Sequence, residues 1–210
     1  MKITKIPNFY RYDVIKSLKN YSNIGIELGV AEGNFSYKIM ESNKFKLFYG
    51  VDAYDEFEHN DLQYQRVINK LSAFKNYKLI RSRFNKILNK FENQYFDFIY
   101  VDGYAHEGNN GGDTIFSWFK KLKIGGILAG DDYHKDWPLV VSTVNELVRQ
   151  TNLELFLTCK IDEDPYSQDP YSLYPSWFVI KEKEIILNLP NKYSKLAMTN
   201  LKKALEESKN

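Results

Sequence analysis

Five carboxylates stand where apolar runs stop: Glu27, Asp52, Asp102, Asp131 and Asp132. A carboxylate at such a place can accept two hydrogen bonds from a vicinal diol, hold an ammonium group, or join others around a hard cation. Two histidines follow the same stops, His106 after Asp102 and His134 after Asp132. An imidazole so placed can take a proton from a hydroxyl or an amine near neutral pH. His59 reads as a solvated loop histidine. Between the first two acids lies a loop of small residues, Gly29, Ala31 and Gly33, within the stretch NIGIELGVAEG. A strand that passes through such a loop into a helix presents backbone N–H groups to a ligand.

The elements needed to hold these residues are legible as a βα alternation. Ile24, Ile26 and Leu28 alternate in a strand over about Asn23–Leu28, followed by a helix from about Asn34 to Ser42. A strand over Lys46–Val51 precedes Asp52. Tyr64, Val67, Ile68, Leu71 and Phe74 form one helical face. Tyr77–Ile80 reads as a short strand, and Phe84, Ile87, Leu88 and Phe91 as a helix stripe. FDFIYV, residues 96–101, is nearly all apolar, as expected of a strand buried on both faces. Ile115, Phe116, Phe119 and Leu122 predict the next helix, followed by Gly125-Gly126 and the strand Ile127–Gly130 before Asp131. Val140, Val141, Val144, Leu147 and Val148 predict a helix with Asp136 as N-cap and Pro138 in its first turn. Leu153–Thr158 and Trp177–Lys181 read as the last two strands.

The chain is therefore expected to be one α/β domain over residues 1–210. An N-terminal helix occupies 1–22, the core 23–183, and a C-terminal helical extension 184–210, where Tyr193, Leu196, Ala197, Leu201, Ala204 and Leu205 are spaced for an amphipathic helix. That helix should dock on the domain or on a twin subunit, giving a possible homodimer. The polar stretch Ile161–Pro175 is long for a connection and suits a rim or lid loop. A chain of 210 residues buries roughly 70% of its unfolded surface.

Composition excludes several classes of function. The formal net charge is +2 with 27% charged residues, so no basic footprint for nucleic acid stands out. One cysteine, Cys159, permits no internal disulfide and belongs to no zinc-like spacing. No apolar run approaches the roughly 20 residues of a membrane span, and the charged N-terminus lacks a signal-peptide core. A cytoplasmic setting, with no membrane or nucleic-acid partner, is the expectation.

In an open parallel sheet, ligands bind beyond the carboxyl ends of the strands, where the strand order reverses. An acid 25 positions beyond Glu27, Asp52, is placed for a ribose diol. A dinucleotide fingerprint would need glycines at positions 29, 31 and 34, where the chain has Gly29, Ala31 and Asn34. The only Tyr-x-x-x-Lys, Tyr12 to Lys16, precedes the first strand. A nicotinamide-dependent oxidoreductase is disfavoured and stays open, as does a non-catalytic nucleoside-binding module.

Glu27-Leu-Gly29-Val-Ala31-Glu-Gly33 resembles motif I of class I S-adenosylmethionine-dependent methyltransferases, with Ala31 in place of the middle glycine. GVDAYD at 50–55, FDFIYVDGYAHEG at 96–108 and KIGGILAGDDYHKDWP at 123–138 extend the resemblance from about Tyr21 to Arg149. It is closest to a subgroup with GVAEG in motif I and a GGILAG-acidic-Asp-Tyr segment at the fifth strand of that fold. The resemblance implies a Rossmann-like α/β sandwich with a seven-stranded, mostly parallel sheet and helices on both faces.

As cofactor it implies S-adenosyl-L-methionine, held by Glu27, Gly29, Ala31, Gly33, Asp52, Ala53, Ser82 and Asp102. Glu27 would face the methionine amine, directly or through an intermediary. Ala53, with Ser82 and Arg83, would lie near the adenine. Asp102, His106 and His134 are the candidate catalytic residues. Asp102, Asp131 and Asp132 either hold a divalent metal such as Mg2+, as in relatives resembling catechol and macrolide sugar O-methyltransferases, or serve the cofactor and cap the loop. A metal would lower the pKa of the acceptor hydroxyl and make activity sensitive to EDTA. The expected acceptor is a small polar molecule, methylated on oxygen or, second, on nitrogen. The acids and tyrosines of the 161–175 loop suit a carbohydrate or glycosylated metabolite.

Overall fold

A computed structural model of the chain describes residues 2–18, 21–55, 59–103, 112–159 and 174–188. The strands are β1 (Ile3–Ile6), β2 (Asn23–Leu28), β3 (Phe45–Asp52), β4 (Tyr77–Arg81), β5 (Phe96–Val101), β6 (Leu122–Gly130), β7 (Leu155–Thr158) and β8 (Trp177–Ile180). The helices are α1 (Asn34–Glu41), α2 (Asp61–Leu71), α3 (Phe84–Ile87), α4 (Asp113–Phe119) and α5 (Pro138–Thr151). Short 3-10 turns occupy Arg11–Ser17 and Leu88–Lys90.

The eight strands form one sheet in the order β1-β7-β8-β6-β5-β2-β3-β4. β8 runs antiparallel to β6 and β7, and all other pairings are parallel. The chain winds outward from β2 through β3 to β4, then returns to place β5 on the other side of β2. The topological switch point therefore lies between β2 and β5, with Glu27 and Asp102 near the carboxyl ends of those strands. Helices cover both faces. On one, Ile26, Leu28, Ile99, Val101 and Leu128 pack with Ile87, Ile115, Phe119, Val144 and Leu147 from α3, α4 and α5. On the other, Phe48, Phe98, Tyr100 and Ala129 pack with Phe35 and Ile39 of α1 and with Val14 and Ile15 of the 3-10 turn. Alternation in β5, Phe98 and Tyr100 one way and Ile99 and Val101 the other, is why that run reads as wholly apolar.

Four sequence expectations need correction. The sheet has eight strands rather than seven, because Ile3–Ile6 forms a strand that pairs in parallel with β7, Ile3 opposite Leu155. The N-terminal region thus holds a strand and a 3-10 turn in place of a helix. Gly125 and Gly126 lie inside β6, which begins at Leu122; Gly125 takes φ +83° where an added Cβ would meet open space. Asp136 is not the cap of α5. Trp137 holds that position without a side-chain cap, and Pro138 opens the helix as expected. The C-terminal helix lies outside the described residues, as does most of the 161–175 loop. No described helix is long and apolar enough to cross a membrane.

Candidate active site

The loop after β2 and the loop after β5 touch backbone to backbone. Gly29 has φ +99°, and a Cβ there would fall 1.5 Å from the carbonyl oxygen of Asp102. Gly29 N–H donates to the Val51 carbonyl (2.9 Å), and Asp102 N–H to the Leu28 carbonyl (2.8 Å). Only glycine provides both that φ and that clearance. Gly33, φ +73°, caps α1 in the left-handed region with its α-carbon toward Val67.

Asp52 organises the loop between those glycines. Its Oδ2 accepts from the N–H groups of Val30 (2.9 Å) and Ala31 (3.0 Å), while Oδ1 receives Tyr54 N–H at 3.3 Å. The amides that would cradle a pyrophosphate in a dinucleotide site are thus committed to a carboxylate. Oδ1 keeps acceptor capacity for a ribose hydroxyl. Ala31 holds φ +46°, and the buried Tyr54 donates its hydroxyl to the Ala31 carbonyl (3.1 Å). Burial, with Asp52 nearby, pushes the Tyr54 hydroxyl far above its ordinary pKa. Outside the loop, Arg66 and Gln63 of α2 bind the Glu32 carboxylate, and Lys70 its carbonyl. Those hydrogen bonds, led by Arg66, lower the Glu32 pKa.

Glu27 is 1% exposed. The Ser36 hydroxyl of α1 donates to its carboxylate, and the Tyr77 hydroxyl stands 3.0 Å from Ser36 Oγ. Burial raises the Glu27 pKa well above the ordinary carboxylate value, against the pull of the Ser36 hydrogen bond. Asp102 is the more open acid of the switch point, its side chain 29% exposed. Ser82 donates its N–H to the Asp52 carbonyl (2.8 Å) and its hydroxyl to the Arg83 carbonyl (3.3 Å). The Ala53 carbonyl accepts from Arg81 Nε (3.3 Å).

The acids of β5 and β6 meet a cation that sequence reasoning missed. Arg11, from the N-terminal 3-10 turn, places Nη1 3.2 Å from Asp131 Oδ2 and 3.8 Å from Asp102 Oδ2. Its Nη2 donates to the Tyr12 hydroxyl (3.0 Å), and the guanidinium carbon lies 5.0 Å from the Tyr12 ring centroid and 5.8 Å from that of Phe35. Burial alone would lower the Arg11 pKa, but Asp131, with Tyr100, Tyr12 and Asp102, takes it above the ordinary guanidinium value. Asp131 is itself 3% exposed. Its Oδ1 accepts from the hydroxyl of buried Ser176 (2.9 Å) and from Asp132 N–H (3.0 Å). Burial raises its pKa in spite of Arg11. Ser176 Oγ is also 3.1 Å from the Tyr100 hydroxyl.

These contacts test the expected metal site and do not fit it. Both oxygens of Asp131 already have donors, and the oxygen facing Asp102 is covered by a positive guanidinium. Among the described residues, no group of three or more His, Cys, Asp or Glu is arranged to hold a metal ion. Asp102, Asp131 and Asp132 were expected either to hold Mg2+ or to serve the cofactor and cap the loop; among the described residues the cation beside Asp131 is the Arg11 guanidinium. For S-adenosylmethionine the donor set does fit. An accessible carboxylate, Asp102, can receive an ammonium, and Asp52 a diol.

Beyond Asp132 (φ +62°), His134 stacks on Tyr174 with centroids 4.7 Å apart. Its Nδ1 accepts from Asp136 N–H (3.3 Å) and lies 3.3 Å from Asp136 Oδ2, the oxygen that accepts from the Tyr174 hydroxyl (3.0 Å). His106 lies outside the described residues. The spacing of the chain carries no signal for Arg11, Ser36 or Ser176. The one available hint is chemical, that clustered strand-end acids require a compensating cation.

Sheet order, switch point and acid-lined strand ends define a Rossmann-like fold built to hold a nucleoside-bearing ligand. A methyltransferase-domain family profile matches residues 26–133, more than half of the chain, and the protein belongs to that family. It is an S-adenosylmethionine-dependent methyltransferase. Among solved structures, the chain is similar to the N-methyltransferase NodS from Bradyrhizobium japonicum WM9, at 15% identity over 82% of this chain and 93% of that one, TM-score 0.58. It is similar to precorrin-6y C5,15-methyltransferase from Geobacter metallireducens GS-15, at 13% identity over 81% and 87%, TM-score 0.56. It is also similar to spermidine synthase from Thermotoga maritima, at 13% identity over 90% and 75%, TM-score 0.59. At such identities the likeness is one of fold. A search of curated protein sequences returns no match.

Proposed function

We propose that the protein transfers the methyl group of S-adenosylmethionine to a hydroxyl oxygen of a small polar acceptor, a sugar or a glycosylated metabolite. The observation that carries the acceptor class is the His134–Tyr174–Asp136 group after β6. Stacked rings offer an apolar face to the C–H surface of a sugar, and the adjacent carboxylate accepts from hydroxyls. The bound cofactor supplies a sulfonium-borne methyl, displaced in line by the acceptor oxygen. Positioning supplies much of the rate gain in such a displacement. Asp102 takes the cofactor's ammonium, and Asp52 the ribose hydroxyls. His134, with His106 as the other candidate, takes the acceptor proton.

The proposal is tested by incubating the protein with methyl-labelled S-adenosylmethionine and two acceptor panels, hydroxylated glycosides and primary amines. Label on glycoside oxygen, reduced about 100-fold or more in His134→Ala, is expected. Label on amines alone would refute the acceptor class. Tight NAD(H) binding without S-adenosylhomocysteine binding would contradict the cofactor assignment.

A further inference from the structure

The acid cluster of β5 and β6 is bridged by one nitrogen. Arg11 Nη1 stands between Asp131, at 3.2 Å, and Asp102, at 3.8 Å, the place a divalent ion would take to join carboxylates from two neighbouring strands. The side chain that delivers it is built in. It is 13% exposed, stacked near Tyr12 and Phe35 and hydrogen-bonded to the Tyr12 hydroxyl. Its Asp131 partner is held by Ser176 and by its own loop amide. Poor solvation there keeps the interaction from being screened as a surface ion pair would be.

We propose that Arg11 is the resident cation of this active site: it stands in for a divalent metal between Asp102 and Asp131, and it makes methyl transfer by this chain independent of metal. The proposal rests on the reading that these acids face the methyl donor and acceptor. A guanidinium stays charged throughout the working pH range, so it places a permanent positive charge 3.8 Å from Asp102 without regard to metal supply. It differs from a metal in one respect. It has no open coordination position, so it does not bind the acceptor oxygen, and the proton of the acceptor hydroxyl must leave to a side-chain base. Arg11 acts through Asp102 and Asp131 and is a positioning residue. A second cation beside it would meet a positive charge and an Asp131 whose two oxygens each already have a donor.

The test compares wild type, Arg11→Ala and Arg11→Lys, each with a thermal melt and an S-adenosylhomocysteine titration. Mg2+ is titrated by calorimetry, and methyl transfer to the glycoside panel is measured in EDTA, in millimolar Mg2+ and with added methylguanidinium. Wild type is expected to take up no Mg2+ and to work equally with and without EDTA. Arg11→Ala should lose activity by about 10–100-fold, the usual scale for removing a partner that orients a site. It should gain Mg2+ uptake, and added methylguanidinium or Mg2+ should restore activity in part, with Arg11→Lys in between. Stoichiometric Mg2+ binding by wild type, or wild-type turnover that requires it, overturns the inference. So does a folded Arg11→Ala that neither gains Mg2+ nor responds to methylguanidinium. Should Arg11→Ala fail to fold, the wild-type titration and Arg11→Lys decide. Wild type that binds no S-adenosylhomocysteine would instead count against the functional reading itself.

Discussion

The two sides of the switch point solve the same problem in different ways. On the β2–β3 side, the acids Glu27 and Asp52 are satisfied by neighbours close in sequence. Ser36 is nine residues from Glu27, and the amides of Val30 and Ala31 are 22 and 21 residues from Asp52. On the β5–β6 side, Asp131 is satisfied by Arg11, 120 residues away, and Ser176, 45 residues away. The first half uses neutral hydrogen bonds from one βαβ unit, and the second an ion pair assembled from separate parts of the chain. The contacts of the β2–β3 side are therefore local in sequence, whereas those of the β5–β6 side depend on the completed fold.

Perturbing the point where the halves meet should have the largest effect. Gly29→Val would drive a Cβ into the Asp102 carbonyl from a φ that branched residues avoid. Loss of soluble protein, or destabilisation above about 4 kcal/mol in denaturant melts, is expected. A soluble variant that binds S-adenosylhomocysteine normally would show that the two loops are not locked together.

Next comes Asp131→Ala, which leaves the buried guanidinium without its nearest acid. A cost of about 3–5 kcal/mol is expected, read as a fall in Tm on the order of 10 °C. A change confined to activity, with Tm unaltered, would place the ion pair outside the stabilising framework and narrow the contrast between the halves.

Glu27→Gln probes the local half through pH. Glu27 binds its proton more tightly folded than unfolded, because burial raises its pKa. Its contribution is therefore fully present below the unfolded pKa and is lost as pH rises through the ordinary carboxylate range toward the raised folded value. The glutamine variant does not titrate, so its Tm relative to wild type should improve as pH rises above the ordinary carboxylate range. A pH-independent difference in Tm would show that Glu27 is charged in the folded protein.

The smallest effect is expected at Ala31, whose φ of +46° carries a penalty of roughly 1–2 kcal/mol that glycine avoids. Ala31→Gly regains that strain and loses roughly 0.4–1 kcal/mol by loosening the unfolded chain. A net gain below about 1 kcal/mol, with cofactor binding unchanged, is the outcome to check by denaturant titration.

This contrast also explains what was legible in the sequence. Strand ends at Leu28, Asp52, Val101 and Gly130 could be read because periodicity and the strand-loop-helix transition are local signals. The eighth strand of the sheet, β1, could not. β1 is four residues, ITKI, whose pairing with β7 is across 152 positions and whose pattern is too short to separate from a helical turn. The double glycine at 125–126 reads as lying before the strand, yet both residues lie within β6, with Gly125 N–H donating to the Lys181 carbonyl and Lys181 N–H to the Gly126 carbonyl. Asp102, Asp131 and Asp132 could be read as a group because each follows a strand, and clustered acids call for a compensating cation. Which cation was invisible, since nothing in RYDVIKS distinguishes Arg11 from a solvated residue until the sheet brings Tyr100, Phe35 and Asp131 around it.

The pairing of β1 with β7 also sets an order of events during synthesis. Ile3–Ile6 is made before its partners, Leu155–Thr158, which follow about 150 residues later, roughly 8–30 s at ordinary elongation rates. In that interval β2 to β5 can form their core while Arg11 has no sheet edge to anchor it. The Arg11–Asp131 ion pair therefore joins a segment made early to a strand end made about 120 residues later.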